Sequence, residues 1–157
     1  EEAQKGYRAV DKSEPLNPLA QVEESLTGRC FLVAEDNKLN TEIVCGILKM
    51  FGAKAVTKTN GIQAVEEFGK AQPGTYDAIL MDIRMPEMNG YEATRAIRRM
   101  KRHDARTIPI IAMTANAFAE DVQESIDAGM TAHVAKPIDV KLLHTTLCEA
   151  VDGNERK

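Results

Sequence analysis

Residues 77–90 read Asp-Ala-Ile-Leu-Met-Asp-Ile-Arg-Met-Pro-Glu-Met-Asn-Gly, and the interpretation of the whole chain depends on them. The apolar run from Ala78 to Met81 is long enough for one buried strand. Asp82 stands at its end, and Pro86 and Gly90 mark the turn that follows. A single aspartate in this position commonly forms a turn or caps a helix, so by itself it indicates no function.

Apolar runs and amphipathic patterns alternate on both sides of this strand. We predict strands at residues 30–34, 53–57, 78–81, 108–113 and 132–135. A predicted helix follows each strand. The second and third predicted helices span residues 60–71 and 90–101. The predicted inward-facing residues are Leu39, Ile43, Ile47 and Phe51 in the first helix, Ile62, Val65 and Phe68 in the second, Phe118, Val122 and Ile126 in the fourth, and Leu143, Leu147 and Val151 in the fifth. Strands that alternate with helices form a parallel sheet covered on both faces. With right-handed crossovers, the prediction is a doubly wound (βα)5 three-layer α/β sandwich.

The 157 residues suit one domain that can bury a core, with unequal composition along the chain. Residues 1–27 are polar and contain two prolines, and we interpret them as a largely disordered linker. We predict the folded domain at residues 28–152 and a short C-terminal tail at residues 153–157.

Composition limits the classes of partner and compartment. The formal net charge of −4 gives no general attraction to nucleic acid, and the basic run at residues 98–102 is typical of a solvated helix end. No apolar run approaches a membrane span, so we expect no direct membrane contact by this chain. Cys30, Cys45 and Cys148 form no C-x-x-C pair, and an odd count argues against a disulfide framework. Cys30 and Cys45 fall in apolar segments, and we predict that they are reduced core residues in a cytoplasmic protein.

Polar residues end four of the five predicted strands. Glu35 and Asp36 follow the first strand, Asp82 the third, Thr114 the fourth and Lys136 the fifth. In a parallel sheet these ends meet at one edge, where ligands of open α/β sheets bind. Three carboxylates together require a cation, and oxygen ligands suit Mg²⁺. The set predicts that Asp82 is a nucleophile for a phosphoryl group, whose charge is spread over Mg²⁺, Lys136 and Thr114.

These residues lie in motifs that, as a set, closely resemble the receiver domain of two-component response regulators, over about residues 29–150. The matching pieces are Val33-Ala34-Glu35-Asp36-Asn37, Met81 to Gly90, Met113-Thr114-Ala115 and Ala135-Lys136-Pro137. Asn37-Lys38-Leu39-Asn40 and Ala132-His133-Val134-Ala135-Lys136-Pro137 most resemble receivers of hybrid sensor histidine kinases. A chain that begins with Glu1 fits a fragment of such a protein.

The resemblance implies a flavodoxin-like strand order of 2-1-3-4-5 and a role for each residue. Asp82 is implied to be the phosphoacceptor, Thr114 the switch hydroxyl and Lys136 the phosphate contact. The implied Mg²⁺ ligands are Asp36, Asp82, the backbone carbonyl of Arg84 and, through water, Glu35. The implied phosphoryl donor is a histidine kinase core or a histidine phosphotransfer domain, and the parent protein could be membrane-anchored.

Two further features concern the fifth strand. The resemblance implies a cis bond between Lys136 and Pro137. The family often has an aromatic switch residue where this chain has His133, and we interpret His133 as a surface residue with a packing role rather than a titrating switch.

The sequence also bears on two alternatives to a phosphoacceptor. A degenerate receiver that acts only as a protein-interaction module would not need the acidic trio, Thr114 and Lys136. An enzyme on the same fold would need a hydroxyl- and glycine-rich phosphate loop for flavin, or two aspartates two positions apart at the first strand for a haloacid-type phosphatase. Residues 35–38 read Glu-Asp-Asn-Lys and fit neither.

Overall fold

The computed structural model of the chain describes residues 25–115 and 119–155, the side chains of residues 119–121 and 154–155 excepted. Residues 1–24 of the predicted linker at residues 1–27, and the predicted helix residue Phe118, lie outside the described residues.

A five-stranded parallel sheet forms the centre of the domain. Its strands are Cys30–Ala34 (β1), Lys54–Lys58 (β2), Ala78–Asp82 (β3), Ile110–Thr114 (β4) and Ala132–Ala135 (β5). The helices are Lys38–Met50 (α1), Gly61–Lys70 (α2), Gly90–Arg98 (α3), His103–Thr107 (α4), Ala119–Ala128 (α5) and Val140–Glu155 (α6). The strand order is β2-β1-β3-β4-β5, and every pairing is parallel. The predicted fold class and strand order are confirmed.

The core forms two layers because alternate residues of each strand point to opposite faces of the sheet. Leu32 and Ile79 belong to the cluster that packs against α2, α3 and the end of α5. Phe31, Leu80 and Ile111 belong to the other cluster, which packs against α1 and α6. Because both faces of β1, β3 and β4 are covered, these three strands are apolar almost throughout, and a charged side chain fits only where the strand ends.

The buried face of α1 differs from the prediction. Leu39 is 65% exposed and Ile43 is 45% exposed, whereas Val44 and Leu48 are buried. A stripe of every fourth residue turns by about 40° per step around an α-helix, so Ile43 lies about 80° and Leu39 about 120° around the helix from Phe51, at the edge of the covered face. The prediction is therefore wrong for Leu39 and Ile43 and correct for Ile47. It also fails in α5, where Ile126 is 59% exposed.

Two residues of the basic run at the end of α3, Arg98 and Arg102, are packed against the protein, whereas Arg99 and Lys101 are exposed, so the prediction of a solvated helix end holds only in part. Arg98 donates to the carbonyls of Gly129 and Ala105 at 2.8–3.0 Å. Arg102 forms a two-pronged ion pair with Asp104 and lies 4.5 Å from the centre of the Phe68 ring. These contacts hold α4 in place, a short helix that the sequence pattern did not predict. The preceding helix, α3, ends at Arg98 rather than at the predicted Lys101.

The described fold begins in the turn before β1 and extends through α6. Leu26 is buried, and its N–H donates to the carbonyl of Phe51 at 2.8 Å, so the fold includes the turn before β1. At the other end, α6 continues to Glu155, past the predicted boundary at residue 152. Among the described residues, no helix has the length and apolar character of a transmembrane segment. The three cysteines are unpaired and partly exposed.

Candidate functional site

Strand register brings the predicted site residues to one edge of the sheet. Asp82, the last residue of β3, lies opposite Met113 of β4. Thr114, the last residue of β4, lies opposite Ala135 of β5, so Lys136 follows directly beyond it. The backbone N–H of Lys136 donates to the carbonyl of Thr114 at 2.8 Å, which fixes the start of the loop after β5.

Three carboxylates meet at this edge. One oxygen from each of Glu35, Asp36 and Asp82 lies within 4.8 Å of the others. Glu35 is 1% exposed and Asp82 is 4% exposed, whereas Asp36 faces solvent. Two buried carboxylates and one accessible carboxylate therefore form a cluster that is open to solvent on the Asp36 side.

Lys136 joins the two buried carboxylates. Its Nζ lies 2.9 Å from Oε1 of Glu35 and 3.2 Å from Oδ1 of Asp82. The backbone N–H of Asn37 donates to Oε2 of Glu35 at 3.1 Å. Although Oε1 is at ion-pair distance from Lys136, it has no hydrogen-bond partner in suitable geometry among the described residues. The contact between Glu35 and Lys136 was not predicted from the sequence.

The buried charges shift one another's pKa. Burial raises the pKa of Asp82 to about 7, and hydrogen bonding with Glu35 and its charge add to the rise, against the lowering effect of Lys136. Burial also acts to raise the pKa of Glu35, but Lys136 and the N–H of Asn37 hold it below its ordinary value. Burial disfavours the charged form of Lys136, yet the two carboxylates raise its pKa overall. One lysine therefore compensates the acidic cluster only in part.

The cluster opens into a cleft of about 240 Å³. The cleft is lined by Glu35, Asp36, Asn37, Asn40, Asp82, Ile83, Arg84, Met113, Thr114, Ala115 and Lys136. All the predicted site residues are among them. Asn40 was missed by the sequence analysis; its position one helical turn after Asp36, on the helix that begins at the cleft, was the available signal.

The loop between β3 and α3 holds Asp82 in place. The N–H of Gly90 donates to the carbonyl of Ile83 at 2.8 Å. Asn89 and Glu92 form a reciprocal capping box at the start of α3. The loop also accepts a 3.1 Å hydrogen bond from the N–H of Gly61 to the carbonyl of Met88, which ties it to α2. The loop that follows Asp82 is thus held in place by α2.

Gly90→Ala should lower the free energy of unfolding by about 1–3 kcal/mol, because the added methyl group would collide with the backbone of Asp82 and Ile83. Gly46→Ala is the matched control, since a methyl group there meets open space in α1 and should stabilise by about 0.5–1 kcal/mol. Urea unfolding of both variants measures the difference. Equal stability of the two variants would contradict the assigned role of Gly90.

Two observations concern the fifth strand, and the predicted packing role of His133 stays a prediction. The bond between Lys136 and Pro137 is cis, as the resemblance implied. His133 is exposed on β5, opposite Ala112 of β4. A surface position was the interpretation made from the sequence.

The donor set of the cleft fits Mg²⁺. Its candidate ligands are carboxylate and carbonyl oxygens, which hard cations prefer over nitrogen or sulfur ligands. The partly compensated charge of the cluster and the buried Oε1 of Glu35 provide an electrostatic reason for a cation beside Asp36 and Asp82.

A family comparison identifies the domain. Residues 31–148 match the family model described as the response regulator receiver domain. The chain belongs to this family. Residues 31–148 contain β1 from Phe31 onward, the other four strands in full and every residue that lines the cleft.

The curated relatives of this receiver domain include histidine kinases. The probable histidine kinase 6 of Oryza sativa is 35% identical over 146 residues, which are 83% of this chain and 15% of that protein. The peroxide stress-activated histidine kinase mak1 of Schizosaccharomyces pombe is 37% identical over 118 residues, which are 74% of this chain and 7% of that protein. Hybrid signal transduction histidine kinase I of Dictyostelium discoideum is 37% identical over 129 residues, which are 78% of this chain and 7% of that protein. The chain thus spans only a small part of these relatives.

Solved structures show the same fold. The receiver domain of a Pseudomonas aeruginosa sensor histidine kinase has 37% identity and a TM-score of 0.72, and the match covers 80% of this chain and 99% of that one. That structure has a magnesium ion coordinated in its active site cleft. The receiver domain of a Syntrophus aciditrophicus signal transduction histidine kinase has 29% identity and the same TM-score, with 83% and 95% coverage.

Proposed function

We propose that this receiver domain accepts a phosphoryl group from a phosphohistidine onto Asp82, with Mg²⁺ as the cofactor. The observation that carries the proposal is the juxtaposition of Asp82 with Glu35, Asp36 and Lys136 at the floor of an open cleft. Membership of the receiver family, and similarity to a receiver with magnesium in its cleft, support it.

In the proposed reaction, an Oδ atom of Asp82 attacks the phosphorus atom. The bond between phosphorus and the donor imidazole nitrogen breaks, and its electron pair stays with the imidazole. Lys136, already 3.2 Å from Oδ1 of Asp82, is positioned to donate to a phosphoryl oxygen, and the Thr114 hydroxyl to another. Hydrolysis of the aspartyl phosphate by water would return the domain to its starting state.

The metal would be held by Asp36, Asp82 and the backbone carbonyl of Arg84, with Glu35 acting through water. When bound, Mg²⁺ neutralises negative charge on the phosphoryl oxygens and on the carboxylates. Lys136 compensates only the buried side of the cluster, so the two contributions are complementary.

The proposed donor is a histidine kinase core or a histidine phosphotransfer domain. The support is that the curated relatives are named as histidine kinases, of which this chain corresponds to one portion. A cytoplasmic position for the domain, in a parent protein that could be membrane-anchored, stays a prediction, as does the absence of nucleic-acid binding.

Phosphotransfer from a panel of phosphorylated histidine phosphotransfer domains tests the proposal, with the mass of the intact chain as the readout. We expect one phosphoryl group per chain in Mg²⁺ and none in EDTA. Acetyl phosphate serves as a donor that needs no protein recognition. If no donor labels the chain in Mg²⁺, the proposal fails, and the alternative of a receiver that acts only as an interaction module gains support.

We further expect phosphorylation to alter the surface formed by α5, β5 and α6. Hydrogen bonding of Thr114 to the phosphoryl group would move the loop that leads into α5, and Lys136 links the site to β5. Amide NMR shifts with and without a beryllofluoride mimic measure the change, which should reach Val122 and His133. Shifts outside the cleft that cluster on α1 and α2 would contradict this prediction.

A further inference from the structure

A second group of ligand-type side chains lies away from the cleft, where the turn before β1 meets α6. Oγ of Ser25 is 2.8 Å from Nε2 of His144, and Sγ of Cys148 is 3.4 Å from the same nitrogen. One oxygen and one sulfur atom thus lie close to the same imidazole nitrogen. The ring of His144 packs edge-on against Phe51, with 5.2 Å between the ring centres, which restricts its orientation.

The spacing of His144 and Cys148 suits chelation by one helix. Residues four positions apart on an α-helix lie one above the other on the same face. Zinc binds thiolate sulfur at about 2.3 Å and imidazole nitrogen at about 2.0–2.1 Å, so a tetrahedral ion holds these atoms roughly 3.6 Å apart. The observed separation of 3.4 Å is within a few tenths of an ångström of that value. A metal ion therefore requires little rearrangement of the pair.

The surroundings favour a cation that can reach the site. Ser25 is exposed, and His144 and Cys148 are partly exposed, so an ion and its remaining waters can approach from solvent. Asp152 lies one further turn along α6, and after burial its charge is the second cause that raises the pKa of the Cys148 thiol. The same charge attracts a cation, which would bind in place of the thiol proton.

We propose that His144 and Cys148, with Ser25 beside them, form a site for a thiophilic divalent cation of the Zn²⁺ class. The site is chemically distinct from the all-oxygen cleft at Asp82, because sulfur and nitrogen ligands select against Mg²⁺. It does not depend on the proposed phosphoacceptor function. A cation bound there would fasten the turn at residues 25–28 to α6, in addition to the burial of Leu26.

Co²⁺ is the probe for this site, because cobalt bound to thiolate has a ligand-to-metal charge-transfer absorption that cobalt bound only to oxygen lacks. The chain is used without a histidine tag, with excess Mg²⁺ to compete at the carboxylate cleft and a non-thiol reductant. We expect the absorption to appear with the wild-type chain, to vanish on addition of Zn²⁺, and to be absent in Cys148→Ser. Cys45→Ser, which removes a partly exposed cysteine on α1, is the matched control and should keep it.

Alkylation of the unmodified chain gives a second test that requires no variant. Zn²⁺ should slow the reaction of Cys148 with iodoacetamide by about tenfold or more when it is present at over ten times its dissociation constant. Cys45 is the internal control and should react at an unchanged rate. The proposal is overturned if Cys148 reacts equally fast with and without Zn²⁺, or if the cobalt absorption persists in Cys148→Ser.

Discussion

Asp82→Asn will abolish phosphoryl acceptance from both histidine donors and acetyl phosphate, because the amide cannot act as the attacking oxygen nucleophile at this buried position. Intact-mass analysis in Mg²⁺ measures the loss. Asp77→Asn is the matched control just before the start of the same strand, where Asp77 accepts hydrogen bonds from Arg29 and from the N–H of Cys30. The control should be less stable but should still accept the group. Labelling of the Asp82→Asn chain would refute the assignment of Asp82.

The same substitution should also raise stability in EDTA at neutral pH. The pKa of Asp82 is about 7 in the folded chain, above its value of about 3.9 when unfolded, so the folded state holds its proton more tightly. Stability due to this group is therefore fully present below about pH 4 and is lost as the pH rises through about 7.

Asn cannot ionise and avoids that loss. We expect Asp82→Asn to exceed the wild type by about 1–3 kcal/mol at pH 8, with little gain at pH 4. The expected gain in the free energy of unfolding is smaller than the free energy that corresponds to the whole pKa shift of Asp82, because the substitution also removes the ion pair with Lys136. Urea unfolding at the two pH values tests this. A gain of the same size at both would show that ionisation is not the cause.

Asp36→Ala will abolish measurable Mg²⁺ binding. Asp36 is the accessible member of the acidic cluster, so its loss removes a proposed charged ligand while the buried pair of Glu35 and Asp82 keeps its contacts with Lys136. Loss of one direct ligand should weaken binding by at least about tenfold, or ~1.4 kcal/mol. Isothermal titration calorimetry with MgCl₂ measures the affinity.

Glu42→Gln is the control for this variant, because it removes one exposed carboxylate from α1 outside the cleft. Its Mg²⁺ affinity should match that of the wild type. Asp36→Ala should unfold at an equal or slightly higher urea concentration, since it removes like-charge repulsion at an exposed position. An unchanged affinity in Asp36→Ala would rule out Asp36 as a ligand.

Local patterns predicted the strands well because a strand buried on both faces must be continuously apolar. The run at Cys30–Ala34, which is buried almost throughout, was placed at the same bounds as in the structure. The edge strand Ala132–Ala135 was placed at its bounds too, although only Val134 of it is buried. Helix faces were predicted less well. The apolar side chains of Leu39 and Ile126 were assigned to the core, yet both are mostly exposed. A chain pattern shows which residues are apolar, but the packing of neighbouring helices decides which of them are covered.

The basic residues around the short helix α4 also show that a local pattern does not reveal which residues are packed. The basic residues before it indicated a solvated helix end, but Arg98 and Arg102 donate to carbonyls on other elements. Those carbonyls belong to Gly129 and Phe68, which are distant in sequence. No local pattern could have predicted partners that only the fold brings near.

By itself, the sequence determined the alternation of strands and helices and the polar residue at the end of each site strand. Parallel strands share one direction, so those ends had to meet at one edge of the sheet. Only the tertiary structure decided that Lys136 bridges Glu35 and Asp82, and that Ser25 lies beside His144. Such contacts join residues far apart in the chain, and their geometry depends on strand register and helix packing, which no short stretch of sequence contains.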